Sequence, residues 1–110
     1  MNTLINKQCR HYSEDESALN LSEIEQLREF TPEWQYNATE NELVRVFHFS
    51  DFHQTIDFVN RLAEVVHVQD HHPQLHLSYN RCKVSFNTHT VRGITENDFI
   101  CAARIDLLAA

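Results

Sequence analysis

The sequence predicts an α+β domain: a four-stranded antiparallel sheet with helices packed on one face, in the order α-β-β-α-β-β-α. Three observations carry this. Leu75, Leu77 and Tyr79 alternate with His76, Ser78 and Asn80, and Cys82, Val84 and Phe86 alternate with Lys83, Ser85 and Asn87, a period of two on both arms of a hairpin. Phe52, Ile56, Val59, Ala63 and Val66 recur at spacings of three and four, with Phe58, Leu62 and Val65 widening the stripe. Trp34 to Phe49 reads as a second hairpin upstream of that helix.

Taken in order, residues 1–20 are polar and mixed in charge and are expected to form a loosely ordered leader whose ends could dock on the domain, though no periodicity marks it; residues 21–110 form the domain. Ser22 is the expected N-cap of a short helix, with Glu23 and Glu25 near its N-terminus and Pro32 beyond its end. Trp34 and Tyr36 open a strand, Asn37 to Asn41 is turn-like, and Leu43 to Phe49 is the returning strand. Ser50 is the expected cap of the long helix, which runs from about Asp51 to about Val68. After the second hairpin, Thr95-Glu96-Asn97-Asp98 has capping-box spacing and starts a helix reaching Leu108, with Phe99, Ala102, Ala103 and Leu107 on its apolar face. Gln74, His76, Ser78, Lys83 and Ser85 share the other sheet face, which is expected to be wet or an oligomer surface.

The chain has 110 residues, room for one core. Its net charge of −7 argues against nucleic acid and anionic membranes as partners, because both are bound through clustered Lys and Arg. A single glycine, Gly93, excludes a glycine-rich phosphate loop. Cys9, Cys82 and Cys101 form no Cys-x-x-Cys pair, which suits a reducing compartment. With no apolar run of membrane-spanning length, a cytoplasmic location is expected.

The histidines carry the chemistry. Five of the eight fall between His67 and His89. A turn centred on Asn80-Arg81 sets Tyr79 against Cys82, Leu77 against Val84 and Leu75 against Phe86, so apolar meets apolar. That register places His72 opposite His89, with Cα atoms roughly 4.5–5.5 Å apart, and His71 beside them. Arg81 is a poor residue for a two-residue turn that needs positive φ, so a shifted turn is the alternative. Clustered imidazoles titrate near neutrality, and each disfavours protonation of its neighbour, so an acid and a base can coexist.

The run Asp70-His71-His72-Pro73, followed by Tyr79, Thr88-His89, Gly93 and Asp98, resembles the pterin-4a-carbinolamine dehydratases (4a-hydroxytetrahydrobiopterin dehydratases). Trp34, the Phe47-His48-Phe49 strand and the Asp51-Phe52 helix start extend the resemblance over about residues 22 to 108. It implies a hydro-lyase that removes the 4a-hydroxyl and the N5 proton of a 4a-hydroxytetrahydropterin. The product would be a quinonoid dihydropterin, recycled after an aromatic amino acid hydroxylase has used the cofactor. It implies no cofactor or metal, and assembly as a homodimer or homotetramer. His71, His72 and His89 match the catalytic histidines: His71 and His89 for proton transfer, His72 mainly for pterin binding. Asp70, Thr88, Asp98 and Trp34 match positions around the substrate. Asp98 is also placed to cap a helix, and Trp34 to fill a core.

Two other readings share these residues. His71, His72, His76, His89 and Asp70 are metal-ligand types, but His76 lies about 13 Å along the strand from His72 at roughly 3.3 Å per residue. A non-catalytic dimerisation or interaction protein of the same fold would carry the histidines with no chemistry. His67 stands where the family usually has a glutamate; it serves either as a hydrogen-bond partner at the substrate site or as a helix-end cation favoured by the dipole.

Overall fold

The computed structural model describes residues 3–109. Helices α1 (Leu21–Arg28), α2 (Phe52–Gln69) and α3 (Glu96–Leu108) alternate with strands β1 (Gln35–Asn37), β2 (Glu42–His48), β3 (Gln74–Ser78) and β4 (Arg81–Phe86) in the expected order. The strands pair antiparallel as β1-β2-β4-β3. Alternation puts Leu43, Phe47, Cys82, Val84 and Phe86 on the helix side, where all are buried. On the opposite face Gln74, His76, Ser78 and Lys83 are exposed as expected, while Ser85 is 4% exposed.

Both upstream caps lie one or two residues from the expected serine. Asn20 caps α1 through a reciprocal box: its Oδ1 accepts from the Glu23 amide and its own amide donates to Glu23 Oε1, each at 2.9 Å. Asp51 caps α2, its Oδ1 accepting from the Gln54 amide at 2.8 Å. Thr95 caps α3 as expected.

The core-facing stripe of α2 is Thr55, Phe58, Leu62, Val66 and Gln69, rotated from the expected line; Phe52 stays 47% exposed. Thr55 can be buried because its single hydroxyl proton is shared between the Asp51 and Tyr79 carbonyls, 2.9 and 3.0 Å away. Helix α3 is enclosed from Asn97 to Ala103 and at Ile105, while Leu107 is exposed. A helix buried over most of its length needs cover from more than the sheet.

Part of that cover is the segment expected to be a loose leader. It carries Leu4 into the core, and the Leu19 amide donates to the Ile94 carbonyl at 2.8 Å. Gly93 meets it closely: a Cβ there would lie 2.6 Å from that of Ala18. The docking uses main-chain groups and buried side-chain amides, which leave no periodic trace in the sequence.

The hairpin register differs from the expected one by two residues. Leu75 faces Val84 and Leu77 faces Cys82, so the turn is Tyr79-Asn80 and Arg81 is already strand. A two-residue difference keeps every side chain on its face. The turn is pinned from outside, by Thr55 on the Tyr79 carbonyl and by the Phe49 amide on the Asn80 carbonyl. Pairing ends at Gln74–Ser85, so His72 and His89 are not cross-strand partners. Beyond β4, a Thr88–Gly93 bridge encloses a 3₁₀ turn, His89–Val91.

Candidate active site

The site is built where α2 ends. Asp70 adopts left-handed geometry (φ 51°, ψ 44°), and the His71 amide donates back to the Val66 carbonyl at 3.3 Å. This turn swings the chain from helix to strand and sets the His71 ring parallel to Phe86, with centroids 5.8 Å apart and planes within 8°.

His71 Nε2 lies 2.6 Å from Asp98 Oδ1. Asp98 is fully buried, and the His71 side chain is 12% exposed. The carboxylate's other oxygen, Oδ2, accepts from the Thr88 hydroxyl and the Thr95 amide, each at 2.9 Å. One carboxylate oxygen of Asp98 thus caps α3 and the other holds the imidazole; fully enclosed, Asp98 reaches the adjoining cleft through His71 and Thr88 rather than lining it. Thr88 and Thr95 share a further hydroxyl contact at 2.6 Å. Such a network fixes the carboxylate before any ligand arrives.

Burial of His71 disfavours its charged form, but the hydrogen bond and charge of Asp98 outweigh it, so the imidazole is held above its ordinary value of 6.5. With Nε2 donating to the carboxylate, Nδ1 is the nitrogen that accepts or releases a proton.

A cleft of about 370 Å³ opens beside this pair, within the range of small-molecule sites. Asp70, His71 and Thr88 line it, together with Cys9, Arg10, His11 and Tyr12 from the leader. Two buried amides hold that leader wall. Gln69 Oε1 accepts from the Cys9 amide at 2.8 Å, and Asn97 grips both the N–H (3.0 Å) and the C=O (2.7 Å) of Arg10. None of these wall residues was found from sequence; the one hint was His11-Tyr12 set in an otherwise polar stretch.

The remaining expected residues scatter around the cleft. His89 is exposed and lines a neighbouring concavity of about 610 Å³ with Glu14, Val91 and Arg92; Thr90 borders both hollows. His72 is exposed next to His71. His67 is exposed on the last turn of α2, and the carboxylate that holds His71 comes from Asp98 rather than from position 67. Trp34 is a correction: it is fully enclosed, its ring lies against Phe47 and Phe86, and its indole donates to Asp106 at 2.7 Å. A side chain with no exposed surface touches no ligand directly; Trp34 adjoins Phe86, which in turn stacks on His71. Among the described residues, no three His, Cys, Asp or Glu side chains are grouped to hold a metal ion.

A roomier concavity, about 730 Å³, lies between β2 and the end of α3. Its cations are engaged locally, Arg45 with Asp106 and Arg61 with Asp57. Chemistry rather than size directs attention to the smaller cleft at His71.

Comparison with known proteins agrees with the resemblance seen in the sequence. The family model described as pterin 4 alpha carbinolamine dehydratase matches residues 17–108. The chain belongs to the pterin-4a-carbinolamine dehydratase family. A Bdellovibrio bacteriovorus protein named "Putative pterin-4-alpha-carbinolamine dehydratase" is 46% identical over 86% of this chain and 80% of its own. A Nitrosomonas eutropha protein of the same name is 39% identical over 96% and 92%. Among solved structures, the transcriptional coactivator/pterin dehydratase from Brucella melitensis superposes with a TM-score of 0.81 at 30% identity, covering 86% of this chain and all of that one. A pterin dehydratase-like protein described as a RuBisCO assembly factor shares the fold at 22% identity, with a TM-score of 0.61. Residues 1–16, including the leader wall of the cleft, lie outside the family match.

Proposed function

We propose that this protein dehydrates a 4a-hydroxytetrahydropterin to the quinonoid dihydropterin by histidine acid–base catalysis. The observation that carries this reading is the His71–Asp98 pair, buried on one side and open to a cleft on the other. The reaction breaks the C4a–OH bond and the N5–H bond and releases one water. A base must take the N5 proton, and an acid must protonate the departing hydroxide. His71, oriented by Asp98, supplies one of these functions at Nδ1, and His89 supplies the other from the adjoining hollow. His72 and Asp70 bind the pterin at the mouth, and Thr88 holds the carboxylate. Positioned acid–base groups contribute roughly 100- to 10,000-fold each.

In this reading the chain works in the cytoplasm as a homodimer or homotetramer, downstream of an aromatic amino acid hydroxylase. No helix among the described residues is long and apolar enough to cross a membrane. The apolar outer line of α2, with Phe52 47% exposed and Ile56 and Val59 half-buried, supports self-association.

The test is a dehydratase assay on chemically made 4a-hydroxytetrahydropterin. Wild type should accelerate water loss, and His71→Ala and His89→Ala should each lose at least 100-fold while remaining folded. A chelator should change nothing. Wild type indistinguishable from the uncatalysed rate would instead favour an interaction protein.

A further inference from the structure

The mechanism makes no use of the two thiols beside the cleft. Cys9 Sγ and Cys101 Sγ lie 3.6 Å apart, although 92 positions separate them in sequence. Cys9 is half-buried and lines the cleft; Cys101 is fully buried on α3. Both backbones are fixed. The Cys9 amide is tied to Gln69, the next residue is gripped by Asn97, and Cys101 sits one turn beyond Asn97 on the same helix. Bonding the sulfurs requires them to close by about 1.5 Å, to the disulfide length near 2.05 Å.

We propose that Cys9 and Cys101 are a dithiol oxidation site, which a hydroperoxide converts to an intramolecular disulfide stapling the leader wall of the cleft to α3. The roles are unequal. The hydrogen bond from Cys101 holds the Cys9 thiol below its ordinary value, while that same contact and burial push Cys101 up. Cys9 is thus the thiolate a small oxidant reaches. Its sulfur attacks one peroxide oxygen and the O–O bond breaks. Sulfur is oxidised by two electrons to the sulfenic acid, and the other oxygen leaves as hydroxide, or as alkoxide from an organic hydroperoxide. Cys101 sulfur then attacks the Cys9 sulfur; the S–O bond breaks, and the departing hydroxide takes the Cys101 proton and leaves as water. With hydrogen peroxide the sum is two thiols plus one peroxide giving one disulfide and two waters.

The third cysteine is an internal control. Cys82 is fully enclosed on β4, and burial pushes its thiol up to about 11. It should survive the same treatment reduced.

The experiment treats the whole protein with equimolar hydrogen peroxide, blocks remaining thiols with an alkylating reagent, and maps the peptides without reduction. The expected product is monomeric in covalent terms, 2 Da lighter before alkylation, joined Cys9–Cys101 and alkylated at Cys82. Its thermal midpoint should rise by at least about 5 °C, because the bridge closes a long loop in the unfolded chain. Cys101→Ser should stop at a Cys9 sulfenic acid that a dimedone probe captures, and Cys9→Ser should consume no peroxide. Cys9 recovered only as sulfinic or sulfonic acid in wild type, a covalent dimer, Cys82 oxidised first, or a bridged product that melts no higher would overturn the proposal. None of these readouts depends on dehydratase activity, so this inference stands or falls apart from the proposed function.

Discussion

Asp98→Asn is the sharpest perturbation of the site, because it keeps the shape and removes the charge. Asp98 Oδ2 accepts two hydrogen bonds, from Thr88 and from the Thr95 amide. The amide oxygen of asparagine must take that place, which turns the NH₂ toward His71 Nε2. A donor now meets a donor, so His71 must move its proton to Nδ1, and the nitrogen left to work is blocked. The wrong tautomer should cost kcat/KM about 100- to 10,000-fold, or roughly 3–5 kcal/mol of transition-state stabilisation. Stability should change with a definite sign. The folded-state value of His71 is raised, so its bond to Asp98 contributes fully below the unfolded value of 6.5 and is lost as pH rises through the folded value. A charge-assisted hydrogen bond is worth about 1.5–3 kcal/mol. The variant should therefore lose about that much relative to wild type near pH 5.5, and less near pH 8.5, in denaturant melts. Turnover within threefold of wild type, or a stability gap that widens with pH, would refute the assignment of Asp98 as the residue that positions His71.

Two further substitutions separate the leader wall and the helix end from the acid–base pair. Asn97→Ala removes both hydrogen bonds to Arg10 and should cost about 1–3 kcal/mol, with proteolysis before residue 17 accelerated in a timed digest and KM raised more than kcat is lowered. His67→Glu should move the acid limb of the pH–rate profile by no more than a few tenths of a unit, because position 67 is exposed and screened and Asp98 already holds Nε2. A shift near one unit would place residue 67 in the proton path.

What the sequence made legible follows its periodicities. The two arms of the second hairpin alternate cleanly, so the faces of Leu75, Cys82, Val84 and Phe86 were readable even though the turn lay one residue earlier than expected. Side-chain period two carries face but not register; the register depends on Thr55 and Phe49 gripping the turn carbonyls, contacts from outside the hairpin. The capping spacing Thr95-x-x-Asp98 was visible, and with it one of the two jobs of Asp98. Serine was favoured as cap at Ser22 and Ser50, whereas Asn20 and Asp51, equally good acceptors, hold the N–H groups. Trp34 matched the resemblance but fills the core, since a bulky ring between Phe47 and Phe86 leaves no open edge. The docking of the leader left the faintest mark in the sequence. Gln69 and Asn97 dock it by satisfying their own buried amides, and isolated polar residues in helices announce no partner in one dimension.

The central claim is that Asp98 holds His71 as a proton-transfer group facing a pterin. Nitrogen-resolved NMR titration of the His71 ring measures this directly. The ring should be the Nε2-protonated tautomer when neutral, titrate with a midpoint above 6.5, and shift its resonances together with those of Thr88 when a dihydropterin is added. A midpoint at or below 6.5, or resonances unmoved by saturating dihydropterin, would contradict it.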